Sequence, residues 1–273
     1  MTYRNGVPDA DRPTRPTVAQ IREVCQPPAI RGRRNSEHWV ADVYLRDISP
    51  HLTRILLRTP ITANQVTWLM VATGMSAAVA VLIPGLLGPI LAVLLGQLQM
   101  LWDCCDGEVA RWRRKSSPKG VFIDRVGHYT TEGLIPIALG LRAAGFPDAG
   151  WASSGWPFLG ALLAVVILYN KALNDMVHVS RAYNDLPKLE DKEAVGVPQH
   201  SGLRSLRSVA RFIPFHRAYH SVELTILILV AAIADLFLGD LQGTQVLLVA
   251  LLVLGVVTIL GHLASILSSS KLR

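Results

Sequence analysis

The stretch WDCCDGEVARW, Trp102 to Trp112, closes a run that is almost wholly apolar from Leu86 onward, and it sets two aspartates and a glutamate where lipid would be expected. An apolar run of about 20 residues is what a helix needs to cross a hydrocarbon layer about 30 Å thick. The carboxylates at its end therefore fall at the edge of a membrane. Beside this window, roughly Leu86–Ala110, five others have comparable length and character: roughly Val66–Ile83, Val121–Ala144, Trp156–Val179, Tyr219–Leu238 and Gln245–Leu267. Glycine and proline punctuate the gaps, at Pro84-Gly85, Gly145-Phe146-Pro147 and Gly239-Asp240. Hydrophobic residues make up 51% of the 273, and the mean hydropathy of +0.35 is too high for an ordinary soluble domain. The expected fold is an all-α integral membrane protein with six transmembrane helices and juxtamembrane amphipathic helices.

Arg and Lys crowd the first 58 residues, the 111–119 connection (Arg111, Arg113, Arg114, Lys115, Lys119), the 181–217 connection and the tail (Lys271, Arg273), whereas the other three connections hold only Arg142 among them. By the positive-inside rule both termini face the cytoplasm of a cell-membrane protein. The formal charge of +7 suits contact with anionic headgroups. No aromatic-interleaved basic domain points to nucleic acid. Residues 1–45 begin with MTYRNGVPDADRPTRPTVAQ, polar and proline-bearing without the apolar core of a signal peptide, and read as a largely disordered cytosolic arm. Residues 46–273 form the membrane domain that carries the chemistry. Cys25, Cys104 and Cys105 fit no disulfide framework and no CxxC pattern, and are expected reduced.

Two stretches read as helices lying along the cytoplasmic leaflet, the alternative being solvated helices packed on a neighbour. In RDISPHLTRILLRT, Ile48, Leu52, Ile55 and Leu56 recur at helical spacing against Arg46, Arg54 and Arg58; GLRSLRSVARF repeats the pattern with Leu203, Leu206 and Ala210 against Arg204, Arg207 and Arg211. The segment NDLPKLEDKEAVGVPQHSG between the fourth and fifth windows reads as a mobile cytosolic loop.

If the second window stays helical through its end, Asp103, Asp106, Gly107, Ala110 and Arg111 share one face. Gly120, Asp124 and His128 follow at four-residue steps on the third helix, which starts from the same side of the membrane. The two stripes can then face each other at a similar depth. A carboxylate at mid-membrane costs about 2.5 to 3.5 kcal/mol even on the lower scales, so a divalent cation is the economical partner, and oxygen ligands suit Mg²⁺ or Mn²⁺. Gly107, Ala110 and Gly120 leave room for a phosphate-bearing ligand or for close helix packing. The bland alternative pairs these acids with the nearby arginines.

The pattern Asp103-x2-Asp106-Gly107-x2-Ala110-Arg111-x8-Gly120-x3-Asp124-x3 resembles the signature of the CDP-alcohol phosphotransferases, integral membrane enzymes of phospholipid biosynthesis. TPITANQVT is similar to the Thr-Pro-Asn-x-x-Thr segment that opens that family's first span, with Ala63 where proline is usual. The resemblance implies attack by an acceptor hydroxyl on the β-phosphorus of a CDP-linked donor, CDP-diacylglycerol as first choice and a water-soluble CDP-alcohol as second, with release of CMP. It implies that Asp103, Asp106 and Asp124 bind a pair of divalent cations, that Gly107, Ala110 and Arg111 help hold the cytidine diphosphate, and that the enzyme is a homodimer. Asn64 is a further candidate for the donor, with helix N-capping as its alternative.

The family pattern ends in a fourth aspartate, and here the residue is His128. An imidazole can act as general base near neutral pH or as metal ligand. Glu132, one turn further, is the alternative carboxylate, and a weakened site is the third reading. In the fourth window Lys171, Asn174, His178 and Arg181 form a polar face suited to a phosphate or polyol acceptor, joined by His216, Arg217 and His220 at the fifth. The alternative has Lys171 paired with Asp175, and His178 and Arg181 snorkelling to the interface. The competing class is a non-enzymatic membrane protein that binds or conducts divalent cations.

Overall fold

The computed structural model describes residues 12–27, 41–187, 218–269 and 272, and among these it contains helices and turns but no strand. The helices are α1 (Val18–Cys25), α2 (Arg46–Leu56, entered through a π-helical turn at Ala41–Leu45), α3 (Ala63–Val81), α4 (Leu87–Trp112), α5 (Pro118–Ala143), α6 (Trp156–Tyr183), α7 (Ser221–Leu238) and α8 (Gln242–Ser268). Four of them, α4, α6, α7 and α8, are long and apolar enough to cross a membrane. Of the other two long helices, α3 has 19 residues and opens on the polar Asn64-Gln65, and α5 carries Asp124, Arg125, Glu132 and Arg142. The stretch GLRSLRSVARF, the loop from residue 188 onward, His216, Arg217, Lys271 and Arg273 lie outside the described residues.

Two compact units divide the chain, Met1–Ala72 with Leu98–Gly127, and Thr73–Gln97 with His128–Arg273. The division passes through α3, α4 and α5, each of which runs on unbroken.

In the first unit, the expected disordered arm contains α1. Thr17 and Gln20 form a reciprocal capping box at its start, with Gln20 N donating to Thr17 Oγ1 at 3.3 Å and Thr17 N donating to Gln20 Oε1 at 2.8 Å. Ile21 and Cys25 are buried with Trp112. Helix α2 turns Ser49, Pro50, Thr53 and Leu56 inward and leaves Ile48 and Ile55 46% and 58% exposed. The expected apolar stripe is thus split: Leu56 joins Val66, Cys105 and Val109 in a core, while Ile48 and Ile55 face outward. The small hydroxyl residues win the inner face because a buried acceptor awaits them, as described below. Thr62 and Gln65 cap α3 by the same reciprocal bonds as α1, at 3.3 and 2.8 Å.

The second unit is built on Ala80, Val81, Ile135, Leu139, Leu163, Ile167, Leu224, Ile228, Leu248 and Leu251. Gly140 and Gly160 let α5 and α6 touch backbone to backbone, since a Cβ on Gly140 would fall 2.7 Å from the Gly160 Cα. Arg142, the one cation in its group of connections, donates to the carbonyls of Ile83 and Gly85 at 3.1 and 2.9 Å and so closes the end of α3. Asp235 joins α7 to α8 by accepting from the Thr244 amide at 3.0 Å and hydroxyl at 2.5 Å. Along α8, Val246, Val253, Val257 and Leu260 are exposed, the surface expected of a helix with lipid against it.

Candidate active site

Asp103 on α4 and Asp124 on α5 meet in the first unit, and His128 follows Asp124 by one turn of the same helix. A ligand atom of Asp103 lies within 4.8 Å of one of Asp124, close enough for the two carboxylates to share a metal ion. Carboxylate oxygens are a fitting donor set for Mn²⁺ or Mg²⁺. Asp106, one turn along α4 from Asp103, accepts from the Thr67 hydroxyl at 2.7 Å. Asp106 is thereby tied to α3.

The small residues have side chains, not backbone, above them. A Cβ on Gly107 would fall 2.9 Å from Arg111 Nη1, so the guanidinium folds back over the glycine. A Cβ on Gly120 would fall 2.9 Å from Asn64 Oδ1. Asn64 is thus beside the signature glycine of α5, and its N-capping alternative falls to Thr62. Gly127 does serve packing, because a Cβ there would meet Met70 Cε at 2.5 Å and Val71 Cγ2 at 2.7 Å. Ala110 is half-buried.

In the second unit, Glu132 is buried at 3% exposure and its Oε2 lies 2.7 Å from Lys171 Nζ; its Oε1 lies 3.5 Å from His220 Nδ1. Lys171 also stands 5.5 Å over the Tyr129 ring, and the Tyr129 hydroxyl donates to Asp175 Oδ2 at 2.9 Å. The partner of Lys171 is accordingly Glu132, where the sequence alternative names Asp175. Asn174 and His178 are exposed. Arg181, 7% exposed, donates to the Pro187 carbonyl from Nε at 3.0 Å and Nη2 at 2.8 Å, so it turns inward and does not snorkel. The four residues of the expected acceptor face have three different settings.

Sequence reasoning passed over Glu108. It is fully buried, with Oε1 accepting from Ser49 Oγ at 2.6 Å and Gln26 Nε2 at 2.8 Å, and Oε2 accepting from Thr53 Oγ1 at 2.6 Å. Its backbone carbonyl accepts from Cys25 Sγ at 3.4 Å, and burial pushes that thiol up to about 12. The one local signal was a glutamate inside the signature but off the face of the aspartates.

Residues 60–185, from just before α3 to just past α6, match the model of the CDP-alcohol phosphatidyltransferase family. The seven signature positions from Asp103 to Asp124 all lie within the matched stretch. Over 120 residues the chain is 38% identical to a curated relative, the bifunctional IPC transferase and DIPP synthase of Rubrobacter xylanophilus. That match takes in 43% of this chain and 25% of the relative, so the chain spans about a quarter of the relative's length.

Proposed function

We propose that the protein is a membrane CDP-alcohol phosphotransferase that moves a substituted phosphate from a CDP-alcohol, CDP-diacylglycerol as first choice, to a hydroxyl acceptor in phospholipid biosynthesis. The observation that carries the reading is the approach of Asp103 to Asp124 within a stretch that matches the family model. All six long helices cross the bilayer, the termini and the site face the cytoplasm, and the chain acts as a homodimer. Labelling tests the orientation: a cysteine placed at Lys115 should react with an impermeant probe from the cytosolic side, and one at Asp148 from outside.

Asp103, Asp106, Asp124 and His128 would hold the metal. Two divalent ions bound there would offset the charge of the donor's pyrophosphate and stabilise the entering and leaving oxygens. Arg111, held over Gly107, offers a planar pair of donors to the cytidine diphosphate, and Asn64 beside Gly120 adds a polar contact. The acceptor oxygen bonds to the β-phosphorus, CMP leaves with the electron pair of the broken P–O bond, and the acceptor's proton goes to His128 or, where His128 would serve as a ligand, to Glu132. Lys171 is the first choice for the acceptor's polar groups, and Glu132 already balances its charge. That balance favours a neutral polyol over an anion at this residue. Asn174, His178 and Arg181 are weaker candidates by their settings.

The experiment is CMP release by purified protein from CDP-diacylglycerol and from a soluble CDP-alcohol, each with a panel of acceptors and Mg²⁺ or Mn²⁺. Release that depends on one acceptor supports the reading and names the substrate. Tight Mn²⁺ binding without CMP release from any donor would favour the cation-binding class.

A further inference from the structure

The buried carboxylate of Glu108 has no part in the chemistry above, yet it is the meeting point of three chain segments in the first unit. Its donors lie 55, 59 and 82 residues away in sequence, two on α2 and one just past α1. All three are neutral, and together they satisfy both carboxylate oxygens, so the group is held by directed bonds from separate elements rather than by one flexible cation. Gln26 also donates to the Arg46 carbonyl at 2.7 Å, which ties α1 to the start of α2.

A second contact holds the same helix end. Arg12 Nη1 donates to the carbonyls of Arg111 at 2.5 Å and Trp112 at 2.6 Å, and its guanidinium stands 5.6 Å over the Trp112 ring. These are carbonyls of the last turn of α4, which the helix itself cannot satisfy. Glu108 is three residues before Arg111 and next to Gly107, the residue on which the Arg111 guanidinium rests.

We propose that Glu108 is a positioning residue: it clamps the Arg12–Gln26 segment and α2 onto the end of α4 and thereby fixes Arg111 over Gly107 to receive the cytidine diphosphate. The inference rests on the transferase reading. A displacement of about 1 Å is enough to cost a large factor in a positioned contact. Because the Arg111 contact is made to the donor in both ground and transition states, loss of the clamp raises KM for the donor and spares kcat.

The test compares wild type, Glu108→Gln, Glu108→Ala and Arg12→Ala as full-length protein, with two readouts. The first is the KM and kcat of CMP release. The second is the rate of Cys25 alkylation, resolved from Cys104 and Cys105 by peptide mapping, which reports undocking of the segment whether or not the protein is active. Glu108→Ala should raise Cys25 reactivity and donor KM each by about ten-fold or more with kcat within about three-fold. Glu108→Gln retains an oxygen for Ser49 and Gln26 and should fall in between. Arg12→Ala, at a half-buried site remote from the carboxylate, should raise both by about three-fold and keeps the test alive if Glu108→Ala fails to fold. Reactive Cys25 with unchanged KM, or loss confined to kcat, would overturn the proposal. Absence of CMP release by wild type strikes the transferase reading instead, and unchanged Cys25 reactivity in the variants would then still refute the clamp.

Discussion

The two units manage their acids in opposite ways. In the first, Asp103 and Asp124 stand with ligand atoms within 4.8 Å of each other, and Glu108 is received by hydroxyls and an amide. In the second, Glu132 meets Lys171 at 2.7 Å, and the Asp175 carboxylate takes a tyrosine hydroxyl at 2.9 Å. Like charges set against one another favour a cation brought from outside, whereas an acid already paired with a lysine does not. We read the first arrangement as one that would take up a cation, and the second as one that balances its own charge. Metal dependence should follow the first and fold stability the second.

The largest effect expected is on the first group. Asp103→Asn, Asp106→Asn or Asp124→Asn should lower CMP release by at least about a thousand-fold, since several kcal/mol of charge stabilisation goes with the cation. EDTA should do the same reversibly, and the variants should keep the wild-type melting temperature in detergent. An Asp106→Asn protein with full activity would remove the distinction between the units.

Next comes the ion pair. Glu132→Gln strands the half-buried Lys171, and breaking one side of a pair whose acid is buried costs about 3 kcal/mol. The expected outcome is a large fall in melting temperature with the Mn²⁺ half-saturation unchanged. Adding Lys171→Met should recover much of the stability, because a neutral pair of similar volume leaves no orphaned charge. If Glu132→Gln instead shifts metal affinity and leaves stability alone, Glu132 is the missing fourth carboxylate.

How much of this was legible follows from what is local in sequence. Helices α3 to α8 were read to within a few residues, because apolar length, Pro84-Gly85 and Gly239-Asp240 are properties of short windows; α6 runs to Tyr183 where Val179 was expected. The acid stripe was legible for the same reason, being fixed by spacing on two helices. What was not legible depended on partners far along the chain. Glu108 has no meaning until Ser49 and Thr53 are brought to it, and the inward turn of those two residues is what splits the apolar stripe of α2. Likewise Lys171 has Asp175 close by in sequence but Glu132 close by in space. Helix α1 was missed because eight residues among prolines and charges carry little apolar signal, and its stability comes from Trp112 and the Thr17 box.

His128 tests whether the family's fourth position belongs with the binding group. It follows Asp124 and precedes Glu132 by one turn each on α5. His128→Ala should lose about a hundred-fold in CMP release, the lower range for a general base. His128→Asp should retain more activity, since a carboxylate serves either role, and should move preference from Mn²⁺ towards Mg²⁺ if the imidazole is a ligand. Equal activities for His128→Ala and wild type would take this residue out of the site.

The smallest effects give the finest separation of the two units, because they remove one hydroxyl each from near-matching settings. Thr67 donates to Asp106 at 2.7 Å in the first unit, and Tyr129 donates to Asp175 at 2.9 Å in the second. Thr67→Val and Tyr129→Phe keep the shape of the side chain and delete the donor, and a single such bond contributes about 1 kcal/mol. If the first unit positions ligands for a cation, the loss at Thr67 should appear as a few-fold rise in the Mn²⁺ concentration needed for half-maximal CMP release, because Asp106 is then free to take other rotamers. If the second unit only balances its own charge, the loss at Tyr129 should appear as a melting temperature lower by a few degrees with the metal requirement unchanged. A metal shift in Tyr129→Phe equal to that in Thr67→Val would mean that the acids of both units act on the cation together, and the division of labour argued from their partners would be wrong.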